Sequence, residues 1–504
     1  MNKKSSQQEF DVLIIGAGLS GIGAACHLQK ECAGKTFAIL ERRQAMGGTW
    51  DLFRYPGIRS DSDMFSFGYG FRPWNELKVL ADGPAIRNYI CETAEEFGVT
   101  EHIRYGLKTT AADWSDSEQR WTVTVLREET GETEAFSCNY LINCSGYFNH
   151  DAGFKPEFAG EEQFQGSIIH PQQWPEDLDY SGKRVLVIGS GATAITLVPT
   201  MADSAAHVTM LQRSPSYVFS LPNTDKIAMA LRKVLPGDMA FKLIRARNIL
   251  FQRGLYISCR RWPKAMRKLL LSRVRKHVGP DVDMRHFTPS YMPWDERLCV
   301  VPDGNLFTAL REKRASVVTD QIDTFTAKGV RLKSGHELEA DIIVSATGLK
   351  LQMMGGMQLK IDNQPIAFNR QMTYKGALIE NVPNFMWVFG YTNAPWTLKS
   401  EIASRYLCRL FDYMDERGLA VATPRDNGSN TMDDGILDSL QSGYVQRDKD
   451  CLPRQGRSGP WHVAMHYGKD KKVLLEDPVD DGHLEFEPVR QSSASKEKPL
   501  TKAA

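Results

Sequence analysis

Two short apolar runs, each followed by a glycine-rich turn and a helical pattern, organise the sequence. The first run lies at 11–15 and the second at 184–188, and both are rich in Val, Ile and Leu. Continuous apolar runs of this length are typical of strands buried on both faces of a parallel sheet. A further apolar run follows each helical pattern, at 36–40 and at 207–211. This order of elements predicts an α/β fold with two Rossmann-like dinucleotide-binding domains.

The first turn reads Gly16-Ala-Gly18-Leu-Ser-Gly21, and the strand that follows it ends at Glu41. Gly16 permits a tight turn, Gly18 lets the backbone approach a pyrophosphate, and Gly21 lets the helix pack closely on the strand. Glu41 is placed to accept hydrogen bonds from a ribose. We therefore predict that a dinucleotide binds here, with its phosphates at the helix N-terminus.

The second turn has the same pattern but a different strand end. Its residues predicted to bind a cofactor are Gly189, Gly191, Thr193, Ala194, Arg213 and Ser214. Arg213 and Ser214 stand where a ribose-binding carboxylate is expected, and an arginine with a hydroxyl favours the 2′-phosphate of NADPH. A solvated surface arginine is the alternative for Arg213. A first site with an acid and a second site with an arginine together predict FAD and NADPH as cofactors.

Composition narrows the classes of function. The 504 residues carry 62 Lys and Arg against 61 Asp and Glu, a net charge of +1, which argues against a dedicated nucleic-acid-binding protein. The nine cysteines show neither zinc spacing nor the close pair that a flavin disulfide reductase needs. The polar N-terminus is not typical of a signal peptide, and no apolar run approaches the length of a membrane span. We therefore predict a cytoplasmic protein without a metal site.

Longer motifs add a family resemblance. Residues 164–175 match the pattern FxGxxxHxxxWP at every fixed position, and residues 341–348 end in an Ala-Thr-Gly motif. Together with 47–63 and 291–299, these segments resemble class B flavoprotein monooxygenases of the Baeyer–Villiger type. Within that class they are most similar to the mycobacterial ethionamide-activating subgroup.

The resemblance implies roles for individual residues. Arg297 occupies the position of the family's catalytic arginine, and Asp61 matches the acid that orients it. A permanently charged guanidinium suits the stabilisation of a buried anion, and a buried arginine calls for a carboxylate partner. A purely structural ion pair is the alternative. His170, in the FxGxxxHxxxWP motif, is expected to couple the cofactor domains rather than to act as a general base.

Four further residues are expected to contact the cofactors. Thr49 and Trp50 are expected to lie along the flavin, with a place in the hydrophobic core as the alternative for Trp50. Arg59 is expected to reach the nicotinamide side, and Thr109 to offer a backbone contact to the adenine.

One residue departs from the family pattern. Glu296 stands where many Baeyer–Villiger enzymes have a lysine that reaches the 2′-phosphate of NADP. A carboxylate does not help to bind a phosphate, so the preference for NADPH must rest more on Arg213 and Ser214. Otherwise a basic residue from elsewhere in the chain compensates, or the affinity for NADPH is weaker.

The resemblance also implies a reaction. NADPH reduces FAD, molecular oxygen forms a peroxide on the flavin, and this peroxide converts a ketone into an ester or lactone. The expected substrates are small ketones, with sulfides and thioamides oxidised at sulfur as well. Residues 374–376 and 393–396 are expected to form part of the pocket wall. The alternatives are a monooxygenase that acts mainly on sulfur or nitrogen, and a non-catalytic NADPH-responsive binding protein, against which the intact Arg297 and Asp61 argue.

The order of the motifs predicts discontinuous domains. We expect an FAD-binding domain in 1–148 and 341–480, an NADPH-binding domain in 149–221 and 297–340, a helical insertion in 222–296, and a flexible tail in 481–504.

The predicted insertion is strongly basic. Residues 226–276 contain 15 Lys and Arg and one acid, Asp238. In its last part, Met266 and the leucines at 269–271 lie near one face of the helical pattern. Three interpretations compete: a merely solvated face, peripheral contact of residues 226–276 with anionic lipid, and steering of NADPH by the positive field.

Overall fold

The structure is a computed structural model that describes residues 8–430, 434–438 and 440–490. The first part of the chain contains β1 (Gln8–Ile15), α1 (Leu19–Glu31), β2 (Phe37–Leu40), α2 (Thr49–Leu52), α3 (Met64–Phe67), α4 (Gly83–Glu96), β3 (Ile103–Arg104), β4 (Lys108–Ser115), β5 (Arg120–Leu126) and β6 (Thr133–Asn143). The middle part contains β7 (Ser167–Ile169), β8 (Arg184–Ile188), α5 (Ala192–Met201), β9 (His207–Gln212), β10 (Val218–Leu221), α6 (Lys226–Val234), α7 (Gly237–Arg261), α8 (Pro263–Val278), β11 (Cys299–Pro302), α9 (Asn305–Arg311), β12 (Ala315–Thr319), β13 (Ile322–Thr326), β14 (Gly329–Leu332), β15 (Glu337–Glu339) and β16 (Ile342–Ser345). The last part contains β17 (Gln358–Ile361), β18 (Gln364–Pro365), β19 (Thr373–Tyr374), β20 (Leu378–Ile379), β21 (Phe385–Trp387), α10 (Trp396–Asp415), β22 (Leu419–Pro424), α11 (Gly443–Asp448), α12 (Tyr467–Leu475) and β23 (Leu484–Pro488).

An eleven-stranded sheet forms the core of the first domain. Its central strand β1 pairs in parallel with β2 and β6, and Val12, Leu13 and Ile14 are fully buried. Burial on both faces explains why this run shows no alternation of apolar and polar residues. β21 joins the sheet in parallel beside β6, so the C-terminal part of the chain completes the first domain.

The second domain is built on a five-stranded sheet in the order β12, β9, β8, β16, β7, in which every pair of neighbours is parallel. Val187 in β8 and Val208 in β9 are fully buried, and Val198 of α5 and Leu306 of α9 belong to the same apolar core. The prediction of an α/β fold with two Rossmann-like domains is therefore confirmed.

One predicted domain boundary is wrong. The return to the first domain was placed at residue 341, but β16 pairs with β7 on one side and β8 on the other. Its residues Ile342, Ile343 and Val344 are buried in the second sheet. The chain therefore stays in the second domain through this strand, and the Ala-Thr-Gly motif after it begins the return.

The helical insertion of α6, α7 and α8 is anchored to the first domain. Phe241 and Ile244 of α7 are buried in the apolar core of that domain. Arg245 is also buried, donates to the carbonyl oxygen of Gly68 at 2.7 Å and forms an ion pair with Glu401 at 3.3 Å. A buried charge is tolerated when its donors are satisfied in this way, so this side of α7 is fixed.

The length of α7 does not make it a membrane span. The helix has 25 residues but carries six Lys or Arg. In the ranges that the structure describes, no helix is both long and apolar enough to cross a bilayer.

The prediction of a flexible tail from residue 481 onwards is wrong for the residues that form β23. β23 pairs with β22 in an antiparallel ladder, and Leu484 is buried. Leu484 and Phe486 alternate with glutamates, a strand pattern that the polar composition of the segment concealed. The rest of the predicted tail, 491–504, lies outside the described residues.

Candidate functional site

A cavity of about 1660 Å³ lies between the two nucleotide-binding domains and the helical insertion. The predicted site residues that line it are Asp61, Gly189, Gly191, Thr193, Arg213, Ser214 and Arg297. Those that lie outside its lining are Gly16, Gly18, Gly21, Glu41, Thr49, Trp50, Arg59, Thr109 and Ala194. The structure thus places the predicted residues of the second turn, except Ala194, around the cavity and leaves those of the first turn outside its lining.

The first glycine turn has the backbone geometry that its sequence predicts. Gly16 has a φ of +99°, which side chains rarely allow, and a Cβ on Gly21 would stand 1.9 Å from the carbonyl oxygen of Gly16. Gly18 caps α1, and a Cβ on Gly48 would stand only 2.9 Å from the Cα of Gly18, so the two backbones approach closely. The bare backbone at this helix N-terminus fits the pyrophosphate of a dinucleotide.

Glu41 is buried directly after β2. Its Oε2 accepts a hydrogen bond of 2.6 Å from the backbone N–H of Ala17, and its Oε1 accepts one of 2.8 Å from that of Arg43. Burial raises the pKa of this carboxyl, while the two hydrogen bonds act in the opposite direction. In the structure the carboxylate therefore fixes the turn, and its contact with a ribose stays a prediction.

The residues expected near the FAD stand on two elements of the first domain. Thr49 and Trp50 begin α2, and the Trp50 ring meets Phe67 edge to face with centroids 5.8 Å apart. Thr109 lies in β4, and its buried hydroxyl has no hydrogen-bond partner among the described residues. A buried hydroxyl without a partner is costly, which fits a position that a bound group completes.

Arg297 stands where the two domains meet. It lies close to the side chains of Tyr147, Tyr444 and Asp61. Its depth in the protein opposes its charge, but the neighbouring oxygens of these three residues raise its pKa above the usual value. The guanidinium therefore stays charged, and its free surface faces the cavity.

Tyr147 connects Arg297 to the first glycine turn. Its ring stacks on Trp396, with centroids 5.1 Å apart and an interplanar angle of 7°. The indole Nε1 of Trp396 donates to Oγ of Ser20 at 2.8 Å, and Ser20 follows Gly18 in the first turn of α1. Two side chains therefore connect the charge at the cavity with the predicted flavin site.

Asp61 shares the cavity wall with Arg297 but lies closer to Arg59. The Asp61 carboxylate is 3.9 Å from a guanidinium nitrogen of Arg59. Asp61 and Arg297 are both described, and no ion pair within 4.0 Å joins them. Burial raises the pKa of Asp61 to about 6, and the charges of Arg59 and Arg297 pull it back. The predicted pairing of Asp61 with Arg297 is therefore a longer-range interaction that Arg59 shares.

Arg59 ties the two domains together. Its guanidinium donates to Oγ1 of Thr196 in α5 and to the carbonyl oxygen of Val300 in β11, both at 2.6 Å. These bonds hold the loop that carries Asp61 against the second domain. The expected contact of Arg59 with the nicotinamide stays a prediction.

The second turn lies near two arginines. Arg213 and Arg447 both line the cavity. Burial lowers the pKa of Arg447, the charge of Asp448 opposes this, and the charge of Arg213 lowers the pKa further. Arg447 stacks over Phe154, with its guanidinium carbon 3.7 Å from the ring centre. Among the described residues, no carboxylate forms an ion pair with Arg213 or Arg447 within 4.0 Å. Two neighbouring cations without such a partner suit a phosphate group.

Glu296 lies beside this pair of arginines. Burial raises the pKa of its carboxyl, while Tyr291 and the charge of Arg213 lower it. Glu296 therefore competes with a phosphate for Arg213, and this makes a second cation more important.

His170 contacts a linker rather than the cavity. Its Nε2 lies 3.1 Å from the carbonyl oxygen of Gly348, and its Nδ1 accepts from the backbone N–H of Gln172 at 3.2 Å. The motif at 164–175 therefore contacts the motif at 341–348. The coupling of the domains by His170 stays a prediction.

The prediction that residues 374–376 form part of the pocket wall is wrong. Asn393 and Ala394 line the cavity, whereas 374–376 are not among its described lining residues. Lys375 is buried elsewhere, with its Nζ 3.2 Å from a carboxylate oxygen of Asp481. This ion pair holds the segment in the C-terminal part of the first domain.

Three candidate residues were not predicted from the sequence: Tyr147, Tyr444 and Arg447. Tyr147 follows β6, and the carboxyl end of a parallel strand is where ligand sites of α/β folds form, so a signal existed. Tyr444 and Arg447 stand in the short helix α11, which matches no motif.

Two dinucleotide folds that meet at a charged arginine beside a large cavity define an oxidoreductase with two nucleotide cofactors. The sequence matches the family described as flavin-binding monooxygenase-like over residues 71–235, and that of an NAD(P)-binding Rossmann-like domain over 14–82. The putative FAD-containing monooxygenase MymA of Mycobacterium tuberculosis is 61% identical over 492 residues, which are 97% of this chain and 99% of MymA. The FAD-containing monooxygenase EthA of the same species is 49% identical over 481 residues, 95% of this chain and 98% of EthA. The chain therefore belongs to the family of FAD-containing monooxygenases, as its motifs predicted.

Solved structures share the fold. An oxidized steroid monooxygenase bound to NADP superimposes with a TM-score of 0.77 at 21% identity, over 96% of this chain and 100% of that one. A cyclohexanone monooxygenase with ε-caprolactone bound gives a TM-score of 0.75 at 20% identity, over 95% of this chain and 100% of that one. The whole architecture is thus one that these monooxygenases also have.

We expect Asp61→Asn to raise the thermal stability at alkaline pH more than at acid pH. The folded-state pKa of about 6 lies above the ordinary 3.8, so the folded protein binds more protons than the unfolded chain between these values. The wild-type protein therefore loses stability as the pH rises through this range, and a neutral asparagine does not. Melting temperatures at about pH 5 and about pH 8 measure the difference.

The control for this experiment is Asp281→Asn, whose side chain is exposed. Its effect on the melting temperature should be the same at both pH values. An Asp61→Asn effect that is equally independent of pH would contradict the raised pKa.

Proposed function

We propose that this chain is an NADPH- and FAD-dependent Baeyer–Villiger monooxygenase. It inserts one oxygen atom from O2 next to a ketone carbonyl and gives an ester or lactone. The main support for this proposal is the position of Arg297, whose charged guanidinium faces the cavity where the two nucleotide-binding domains meet. The chemistry supplied by bound FAD and NADPH is the transfer of two electrons to oxygen. The residues of the chain bind the cofactors, hold charge and exclude water.

Arg297 stabilises the negative charge that develops on the carbonyl oxygen of the substrate. A guanidinium keeps its protons at any pH at which the enzyme works, so its role is electrostatic and permanent. Tyr147 lies beside it and is itself held by stacking on Trp396. With Asp61 ionised, Arg59, Asp61 and Arg297 leave one net positive charge for an anionic oxygen.

The preference for NADPH rests on the cations near the second turn. Ser190 donates from its Oγ to the carbonyl oxygen of Ser214 at 2.9 Å, which fixes the strand end beside the turn. Arg213 and Ser214 then contact the 2′-phosphate from one side. Arg447 is the basic residue that compensates for Glu296, because it shares the cavity and has no carboxylate partner within 4.0 Å among the described residues.

The substrates are small ketones, with sulfides and thioamides oxidised at sulfur. The apolar part of the cavity wall, which includes Phe148, Phe251 and Leu255, accommodates the carbon skeleton of such molecules. The similarity of the motifs to the ethionamide-activating subgroup supports the sulfur substrates. A monooxygenase that acts mainly on sulfur or nitrogen is the alternative within the same machinery.

Arg297→Ala should separate flavin reduction from oxygenation. We expect NADPH to reduce the flavin at a rate near that of the wild type, because the phosphate contacts are intact. Ester formation from a ketone should fall about 1000-fold, since the charge that stabilises the oxyanion is lost. Stopped-flow absorbance follows the flavin, and gas chromatography follows the ester.

A matched control for this variant is Arg275→Ala, which removes an exposed arginine of α8. Its rates should equal those of the wild type. Normal ester formation by Arg297→Ala would exclude the role assigned to Arg297.

Arg447→Gln should weaken the binding of NADPH but not of NADH. Loss of one charge-assisted bond to the 2′-phosphate should raise KM for NADPH about tenfold, with little change in kcat. Arg213→Gln should have the same effect, while Lys350→Gln, which removes an exposed cation outside the cavity lining, should have none. Steady-state rates with both coenzymes measure this, and an equal rise of KM for NADPH and NADH would contradict a phosphate contact.

A further inference from the structure

Most of the large apolar side chains that are exposed among the described residues lie in the helical insertion. Eleven large apolar side chains are exposed among the described residues, and nine of them lie in the insertion. These nine are Ile227, Val234, Met239, Leu243, Leu250, Phe251, Ile257, Trp262 and Leu269. Single exposed apolar residues are ordinary, but such a concentration marks an interaction surface.

Four of these residues lie along one face of α7. Met239, Leu243, Leu250 and Ile257 follow one another at spacings of four and seven residues, which places them on one face of the helix. The other face of α7 is already packed on the first domain, through Phe241 and other buried residues. We call the four residues the exposed stripe. α7 is thus apolar on two sides, and among the residues that the structure describes only one of these sides is packed against another part of the chain.

Positive charges flank the exposed stripe. Lys242, Arg253 and Arg261 are exposed on α7, and no carboxylate among the described residues forms an ion pair with them within 4.0 Å. The surrounding segment 226–276 has a net charge of +14. A second copy of the chain would bring this charge against itself, so self-association through this face is unfavourable. An anionic surface with an apolar interior satisfies both features.

Two exposed apolar side chains of the insertion also line the cavity that contains Arg297: Ile227 of α6 and Phe251 of α7. Phe251 follows Leu250 in α7, so it lies about 100° round the helix from the exposed stripe. It is therefore placed between the stripe and the face of α7 that lines the cavity. Trp262, at the junction of α7 and α8, is 60% exposed, and tryptophan is a side chain that favours the boundary between lipid and water.

We propose that the exposed stripe docks on an anionic lipid bilayer, with the cavity mouth at Ile227 and Phe251 facing the membrane, so that lipophilic substrates enter the cavity from the bilayer. The docking is independent of the proposed function, whereas the delivery of a lipophilic ketone rests on it. The stripe inserts into the outer part of the acyl region, and Lys242, Arg253 and Arg261 contact the lipid phosphates.

Flotation of the full-length holoenzyme with vesicles tests the docking. The wild type should bind vesicles that contain phosphatidylglycerol at least tenfold more than vesicles of phosphatidylcholine alone, and salt should weaken the binding. The stripe variant, with Leu243→Gln, Leu250→Gln and Ile257→Gln, should bind the anionic vesicles at least tenfold more weakly than the wild type. A second triple variant, with Lys242→Gln, Arg253→Gln and Arg261→Gln, should show a loss of the same size. Since these side chains are exposed, the melting temperatures should stay near that of the wild type.

Matched control variants replace the same kinds of side chain outside the helical insertion. Val489→Gln removes an apolar side chain that is 65% exposed outside the insertion, and Lys313→Gln, Lys328→Gln, Lys333→Gln removes three exposed cations of the second domain. Both should bind vesicles like the wild type. Equal binding to both kinds of vesicle, or a stripe variant that changes only the oligomeric state in light scattering, would overturn the proposal.

A pair of ketones tests the delivery. With anionic vesicles present, kcat/KM of the stripe variant for a long-chain ketone dissolved in the bilayer should be about tenfold lower than that of the wild type. For a short water-soluble ketone, kcat/KM of the two proteins should be equal. Equal losses, or none, would overturn delivery from the membrane. If the wild type oxygenates neither ketone, the proposed function fails, while the flotation result still decides the docking.

Discussion

A charged guanidinium held between two nucleotide-binding domains is the interaction on which the rest of the structure depends. Moving an arginine out of bulk water is costly unless polar partners compensate. The partners of Arg297 come from distant parts of the chain: Tyr147 follows β6, Asp61 follows α2, and Tyr444 lies in α11. Three separate parts of the chain therefore meet at this charge when the domains are docked and the C-terminal segment is in place. Arg59 completes this docking with its two bonds to the second domain.

The local parts of this arrangement could be predicted from the sequence. Each glycine turn is defined by a few residues that are close in the chain, and Gly16 and Gly21 have the close contacts that their motif requires. Arg297 and Asp61 were found only through a family resemblance, since nothing in their spacing shows that they share a cavity. Tyr444 and Arg447 reach the cavity through the folding of the whole chain, and no local pattern marks them.

The errors in domain boundaries have a common physical cause. Strand β16 lies in the second sheet because its neighbours β7 and β8 bury it, and the sequence of an apolar strand does not state which sheet it joins. Likewise β23 is recognised only by its partner β22. Strand pairing depends on residues that are far apart in the sequence, whereas a turn depends on residues that are adjacent. The boundaries of discontinuous domains are therefore predicted less well than turns.

The net charge of +1 for the whole chain conceals the strongly basic surface of the helical insertion. The segment 226–276 has a net charge of +14, so the rest of the chain has a net charge of −13. The sequence showed the charge, but the structure adds that Leu250, Phe251 and Trp262 are exposed in the same segment. Charge and apolar exposure together, rather than either alone, distinguish a membrane-facing surface from a solvated helix.

The cavity beside Arg297 is proposed as the place where an oxygen atom from O2 enters a ketone. Turnover of a ketone with NADPH under 18O2, followed by mass spectrometry of the product, tests this. We expect an ester or lactone that carries one 18O atom per molecule, in the bridging position, with one NADPH consumed for each. Consumption of NADPH without labelled ester, or an ester oxygen that comes from water, would contradict it.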